Sequence, residues 1–212
     1  MRSFIYIPEE TTSSVVFTSD NFEGSTLDPR WTFLDPLGDS SFAIGSSQAQ
    51  ITVPQPPNHD IVAGEDGVPK IVQDMTNADF VLTAKWDNLI SGSFPSQGIL
   101  LIEDATSRVD FKIFRAGGGI TLMALGVVND VEVFDIRVVD TAFTAPYLKR
   151  ISRTGDAWTF EWSLDNGATW TTAASTNHTM ITNQVGLYAG SFDNTGGHTA
   201  LIDYISSADN PI

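Results

Sequence analysis

The chain has 212 residues, 26 of them acidic and 11 lysine or arginine, for a net charge of −15. That balance lacks the basic footprint nucleic-acid binding requires, and it disfavours an anionic membrane surface. The absence of cysteine removes thiolate catalysis, zinc–thiolate sites and redox chemistry. A chain of this length buries about 70% of its unfolded surface, so a core needs no disulfides. No apolar run approaches the roughly 18 residues of a membrane span, which argues against membrane insertion.

In chain order, residues 1–13 read as an N-terminal extension to a single domain spanning 1–212. The start, MRSFIYIPEETTSS, lacks the long apolar stretch and small-residue cleavage site of a signal peptide. An extracellular or surface-associated place is expected, as a module excised from a longer secreted chain, a mature chain with a new Met, or a virion component. The sequence leaves the oligomeric state open.

Strand signals then dominate, as short Val, Ile, Thr, Phe and Trp runs bounded by turn residues. They fall at 15–18, 31–34, 42–44 and 49–53. Pro54, Pro56 and Pro57 break the pattern, because proline gives a sheet no ladder donor. A long loop follows, with a second at 63–69. Strands resume at 70–73, 79–86, 98–103, 108–115, 120–127 and 131–138, then at 147–153, 158–164, 184–192 and 199–205. No window of eleven or more residues carries a helical period. Short helical turns are expected near 25–28 and 141–144. Ala116–Gly119, Arg153–Ala157 and Asp165-Asn166-Gly167 read as hairpin turns.

Alternation assigns the faces. Phe80, Leu82, Ala84 and Trp86 oppose Val81, Thr83 and Lys85. Val109, Phe111 and Ile113 oppose Arg108, Asp110 and Lys112. Trp158, Phe160 and Trp162 oppose Thr159, Glu161 and Ser163. Period two with one apolar side predicts sheets covered on one face. The fold class is therefore all-β, a two-sheet antiparallel β-sandwich with its apolar faces inward. Lys85, Asp110, Lys112, Arg150 and Glu161 are the polar positions expected on a wet, ligand-binding sheet face. Trp86, at a strand end before Asp87-Asn88, is expected to face a cleft.

The catalytic motifs are weak. Glycoside hydrolysis uses two carboxyl groups about 5–9.5 Å apart. Glu132 and Asp135 sit three apart in a strand, hence on opposite faces, and Glu103-Asp104 are adjacent. Ser163-x-Asp165-x-Gly167-x-Thr169-Trp170 fits a single Asp-box, read as a hairpin in which the Asp binds backbone amides over a packed Trp. His59, His178 and His198 have no metal-ligand spacing.

Several segments resemble a known family. Asp20-Asn21-Phe22-Glu23-Gly24 followed by Thr26–Trp31 looks like the opening of concanavalin A-like jelly-roll modules. Asn58-His59-Asp60, Pro69–Gln73 and Ala78–Lys85 are similar to the C-terminal domain of family 43 β-xylosidases. So are Tyr147–Trp158, Val185–Ala189 and Leu201–Ile205. The match spans about 17–205. The resemblance implies a jelly-roll sandwich and a role in recognising a polysaccharide or other glycan; with no paired carboxylates found, the expected function is non-catalytic binding through the concave sheet face and flanking loops. It places His59 and Asp60 beside that face. It also implies a structural Ca²⁺ held by Asp20, Glu23 or the Gly24 carbonyl, and Asp203, oxygen ligands of the kind calcium prefers. The alternatives are a structural or adhesion module, such as a virion appendage, and a hydrolase or lyase with an unrecognised carboxylate pair.

Overall fold

The computed structural model describes residues 17–90, 94–116, 119–192 and 196–212. The expected N-terminal extension, the start of the first expected strand at 15–16 and the turn at 117–118 lie outside the described residues. All strand pairs are antiparallel, in two seven-stranded sheets and one two-stranded ribbon.

The front sheet runs β1 (Trp31–Leu34), β6 (Lys70–Asp74), β15 (Gln184–Ser191), β8 (Pro95–Ile102), β9 (Arg108–Ala116), β10 (Gly119–Val128) and β11 (Val131–Asp140). The back sheet runs β14 (Thr171–Asn177), β13 (Ala157–Ser163), β12 (Tyr147–Thr154), β7 (Phe80–Trp86), β16 (His198–Ser207), β3 (Ala49–Val53) and β2 (Ser41–Ile44). The ribbon is β4 (Ile61–Val62) with β5 (Glu65–Asp66). Thirteen of these strands coincide with expected ones. β14 and the ribbon were not expected, and the segments 25–28 and 141–144 are bends and turns rather than helical.

The inward faces follow the alternation. Leu82, Ala84, Ile151 and Phe160 of the back sheet meet Ile99, Leu101, Phe111 and Leu122 of the front sheet in one buried cluster. Two chain ends are tied by Asp20 and Ile205, which exchange backbone hydrogen bonds of 2.9 Å. The core holds one unexpected group. Lys149 lies between Tyr147 and Ile151 on the inward face of β12 and is fully buried. Its ammonium donates to the carbonyls of Gln97 (2.9 Å) and Phe111 (3.0 Å) on the front sheet and lies 4.1 Å from the Trp86 ring centre. Burial pushes its pKa well below the ordinary lysine value.

A third layer covers much of the front sheet's outer face. His59 and Ser191 exchange backbone hydrogen bonds (2.8 and 2.9 Å) where the segment 58–69 crosses β15. Ile61 and Val68 then bury against Leu100 and Tyr188, and Ala63 packs on Met123, Leu125 and Val127. Gly190 permits the crossing. A Cβ there would stand 2.5 Å from Ser96 Oγ and 2.9 Å from the His59 carbonyl, so only glycine admits the second backbone.

Candidate functional site

Antiparallel register lays out the front sheet's outer face. Gly98, Lys112, Met123 and Arg137 form one row across β8, β9, β10 and β11. Leu100, Asp110, Leu125 and Asp135 form the next, on the side where the crossing segment lies. The segment seals part of this surface and stops short of the rest. At its margin is a cavity of about 150 Å³.

Met123, Lys112, Phe114 and Arg137 line the cavity from the sheet. Asp60 and Val62 line it from the crossing segment, and Ser96, Phe94 and Phe192 from the ends of β8 and β15. Phe94 and Phe192 are 38% and 48% exposed and meet edge to face, with ring centres 6.1 Å apart. Phe94 has φ +60°, a left-handed conformation uncommon for a bulky residue and characteristic of functional sites. Large apolar side chains held in water at a cavity mouth are the informative exception to burial.

The charged groups are held in place. Lys112 donates to the Ile61 carbonyl (2.8 Å) and lies 3.2 Å from Asp110. Asp110 is fully buried and accepts the Tyr188 hydroxyl at 3.0 Å. Burial raises its pKa, opposed by Lys112 and Lys149. Arg137 grips Asp135 with two nitrogens, which raises the guanidinium pKa, and lies 5.8 Å from the Phe114 ring centre. Asp60 accepts the Ile61 amide at 2.8 Å. The lining thus offers aromatic faces, an anchored cation at the rim, one carboxyl group from Asp60 and one hydroxyl from Ser96.

The expected site residues divide among several places. Asp60 and Lys112 line the cavity. Asp110 lies beneath Lys112, sealed from solvent. His59 does not line the cavity. It is fully buried, with Nδ1 3.0 Å from the Pro57 carbonyl and Nε2 2.7 Å from Asp39. Trp86 faces no cleft: it points inward, has no exposed surface and stacks on Tyr147 with ring centres 5.6 Å apart. Lys85, Arg150 and Glu161 are on the back sheet, so the five polar positions do not share one face. Lys85 pairs with Asp203 (2.6 Å), and Arg150 with Glu161 while lying 4.0 Å from the Trp170 ring centre.

Among the described residues, no three His, Cys, Asp or Glu side chains are grouped as metal ligands, and the expected calcium positions have other partners or face solvent. Asp20 accepts the Phe22 amide (2.7 Å) and the Trp31 indole (2.9 Å). Asp203 is engaged by Lys85, and Glu23 and Gly24 are exposed in the loop. An ion bound to Asp203 would compete with the Lys85 ammonium. The Asp-box is a closed hairpin. Asp165 accepts the Thr169 amide (2.9 Å) and hydroxyl (2.6 Å) and the Ser163 hydroxyl (2.7 Å), which hold its carboxyl at about 2.

Sequence reasoning missed Val62, Phe94, Ser96, Phe114, Met123, Arg137 and Phe192. A signal existed for two of them. Phe94 lies in Ser-Gly-Ser-Phe-Pro and Phe192 in Ser-Phe-Asp-Asn-Thr-Gly-Gly, each a large aromatic residue in a turn-like context that gives it no core to enter.

No family model matches the chain, and no curated protein matches it. Solved structures do. A Bacteroides ovatus protein described as xyloglucan PUL GH43B superposes with a TM-score of 0.70 at 16% identity, over 98% of this chain and 40% of that one. A Clostridium perfringens endo-β-galactosidase that releases GlcNAcα1-4Gal gives 0.62 at 14% identity, over 99% of this chain and 67% of that one. The CBM2 module of the evolved Dit of Lactobacillus casei BL23 phage J-1 gives 0.60 at 10% identity, over 90% of this chain and 96% of that module. The chain spans about 40% of the length of the family 43 structures it matches. Its structural neighbours thus include carbohydrate-active proteins and modules, beside a Saccharomyces cerevisiae protein of unknown function (TM-score 0.68, 13% identity, over 86% of this chain and 97% of that one), and at these identities the likeness is one of fold. The chain has the fold of a concanavalin A-like module and resembles the β-sandwich C-terminal domain of family 43 glycoside hydrolases.

Proposed function

We propose that the chain is a non-catalytic carbohydrate-binding module that takes the end of a glycan into the cavity beside the crossing segment. The observation that carries this reading is the exposed Phe94–Phe192 pair at the mouth of a cavity that also holds Asp60, Ser96, Lys112 and Arg137. An apolar cavity with a few convergent polar groups is the usual form of a small-molecule site. A volume of about 150 Å³ is below the roughly 300 Å³ at which drug-sized sites begin. It suits one terminal unit, with the rest of the chain outside along the aromatic rim. Asp60 is the one carboxyl among the described lining residues, whereas two-carboxyl hydrolysis needs a partner across the scissile bond. An extracellular or surface location accompanies this reading.

Isothermal titration of the protein with a panel of neutral and acidic oligosaccharides tests it. Binding is expected to weaken about tenfold in Phe94→Ala and in Phe192→Ala, a loss of about 1.4 kcal/mol each, with unchanged thermal stability. Absence of binding to any glycan at millimolar concentration, or binding indifferent to both substitutions, overturns the site. Release of reducing ends from a polysaccharide would replace the binding reading with a hydrolytic one.

A second reading, a structural or adhesion module of a virion, draws on the phage Dit module. That module is covered over nearly its whole length.

A further inference from the structure

A sheet's outermost strand offers unpaired N–H and C=O groups to any other strand, and proteins blunt such edges with short strands or charges. Of the four edges of the two large sheets, β1 and β2 have four residues each. β14, Thr171–Asn177, reads TTAASTN and carries no large apolar side chain. β11 differs. It has ten residues, and Val131, Val133 and Val139 are 62%, 50% and 61% exposed. Among the described residues, its backbone hydrogen bonds go to β10 on one side.

On β11 the half-buried Asp135 and the exposed Arg137 lie on one face, an acid and a base placed symmetrically about Ile136, with the partly buried Phe134, Ile136 and Val138 on the other. We infer that β11 pairs antiparallel with β11 of a second copy of this chain, about a twofold axis at Ile136. In that register Asp135 faces Arg137 of the second copy and Arg137 faces its Asp135, so the ion pair that each chain makes within itself can be made across the seam. Phe134 faces Val138, which extends the partly buried apolar row that packs on the core. A slip of one residue reverses the faces. A shift of the axis by one position either way sets Asp135 against Asp135 or Arg137 against Arg137, and like charges directly opposed destabilise a sheet. The charges thus select one register.

The register shift between Gly126 and Val127 leaves Val133 as an extra residue. This bulge ends the regular edge and takes Glu132 out of line with Asp140 of the second copy. The pairing is isologous and closes, as twofold contacts do. It joins two front sheets into one fourteen-stranded sheet. Arg137, at the rim of the cavity, then lies at the seam, so both cavities open on the same continuous surface.

Sedimentation of the purified chain is expected to give twice the 23.0 kDa monomer mass at micromolar concentration. Asp135→Arg and Arg137→Asp should each yield monomers, and the double exchange should restore the dimer. The chain has no cysteine, so a single introduced thiol reports its own neighbour. Opposed Cα atoms stand about 4.5–5.5 Å apart in an antiparallel pair, within the disulfide range. Ile136→Cys should therefore cross-link on mild oxidation. Val138→Cys should not, because its twofold mate is four residues along, about 13 Å away. A monomeric wild type, a dimer indifferent to the single charge reversals, or equal cross-linking through Val138→Cys overturns the inference.

Discussion

Asp110 with Lys112, and Glu161 with Arg150, are ion pairs on opposite outer faces of one sandwich. Each arises from the same period-two alternation. Arg150 and Glu161 keep 27% and 16% of their side-chain surface in water, whereas Lys112 and Asp110 keep 6% and 1%. The difference is the segment 58–69, whose carbonyls at Ile61, Val62 and Glu65 take up Lys112 and Arg108. The back sheet has solvent in that place. The same charges therefore belong to the interior on one face and to the surface on the other.

The largest test of this contrast is Asp110→Ala. It leaves the buried Lys112 ammonium without its counter-charge, with only the Ile61 carbonyl to receive it, and removing one member of a buried pair costs about 3–5 kcal/mol. Urea denaturation measures it, and a loss under about 1 kcal/mol, as at the surface, would show that the layer is wet. Gly190→Ala acts on the seal itself. Its Cβ meets Ser96 Oγ and the His59 carbonyl, and overpacking of this kind costs about 1–3 kcal/mol. Amide exchange of Ser191 should speed up as the crossing backbone lifts, and an unchanged rate would locate the seal elsewhere. The smallest effect is Arg150→Ala on the back sheet, expected within about 1 kcal/mol. A larger loss would mean that its packing on Trp170 matters as much as its charge.

The sandwich was legible because apolar residues at every second position fix both strand and face, as in Phe80–Trp86. β14 was not, since Thr, Ala and Ser in Thr171–Asn177 carry no alternation. It is held by its neighbour β13 through pairs such as Phe160 with Ala174. β4 and β5 were hidden in a glycine- and proline-punctuated loop. Alternation separates inside from outside in a two-layer sandwich and is blind to a third layer, so Asp110 and Lys112 read as wet. Trp86 read as a cleft residue from its place at a strand end, but its face is that of Phe80, Leu82 and Ala84, and face prevails. Of His59 and Asp60, which the resemblance places beside the concave face, only Asp60 lines the cavity. The rest of the lining comes from six separate strands and their ends, a convergence that local periodicity does not encode.

Lys149 has one more consequence. Its amine is enclosed by both sheets, and an acylating reagent in solution reaches it only when the halves part. At reagent levels that outpace reclosure, its modification rate equals the rate of opening. The lysine is thus a built-in clock for the separation of the two layers, readable by mass without any added label.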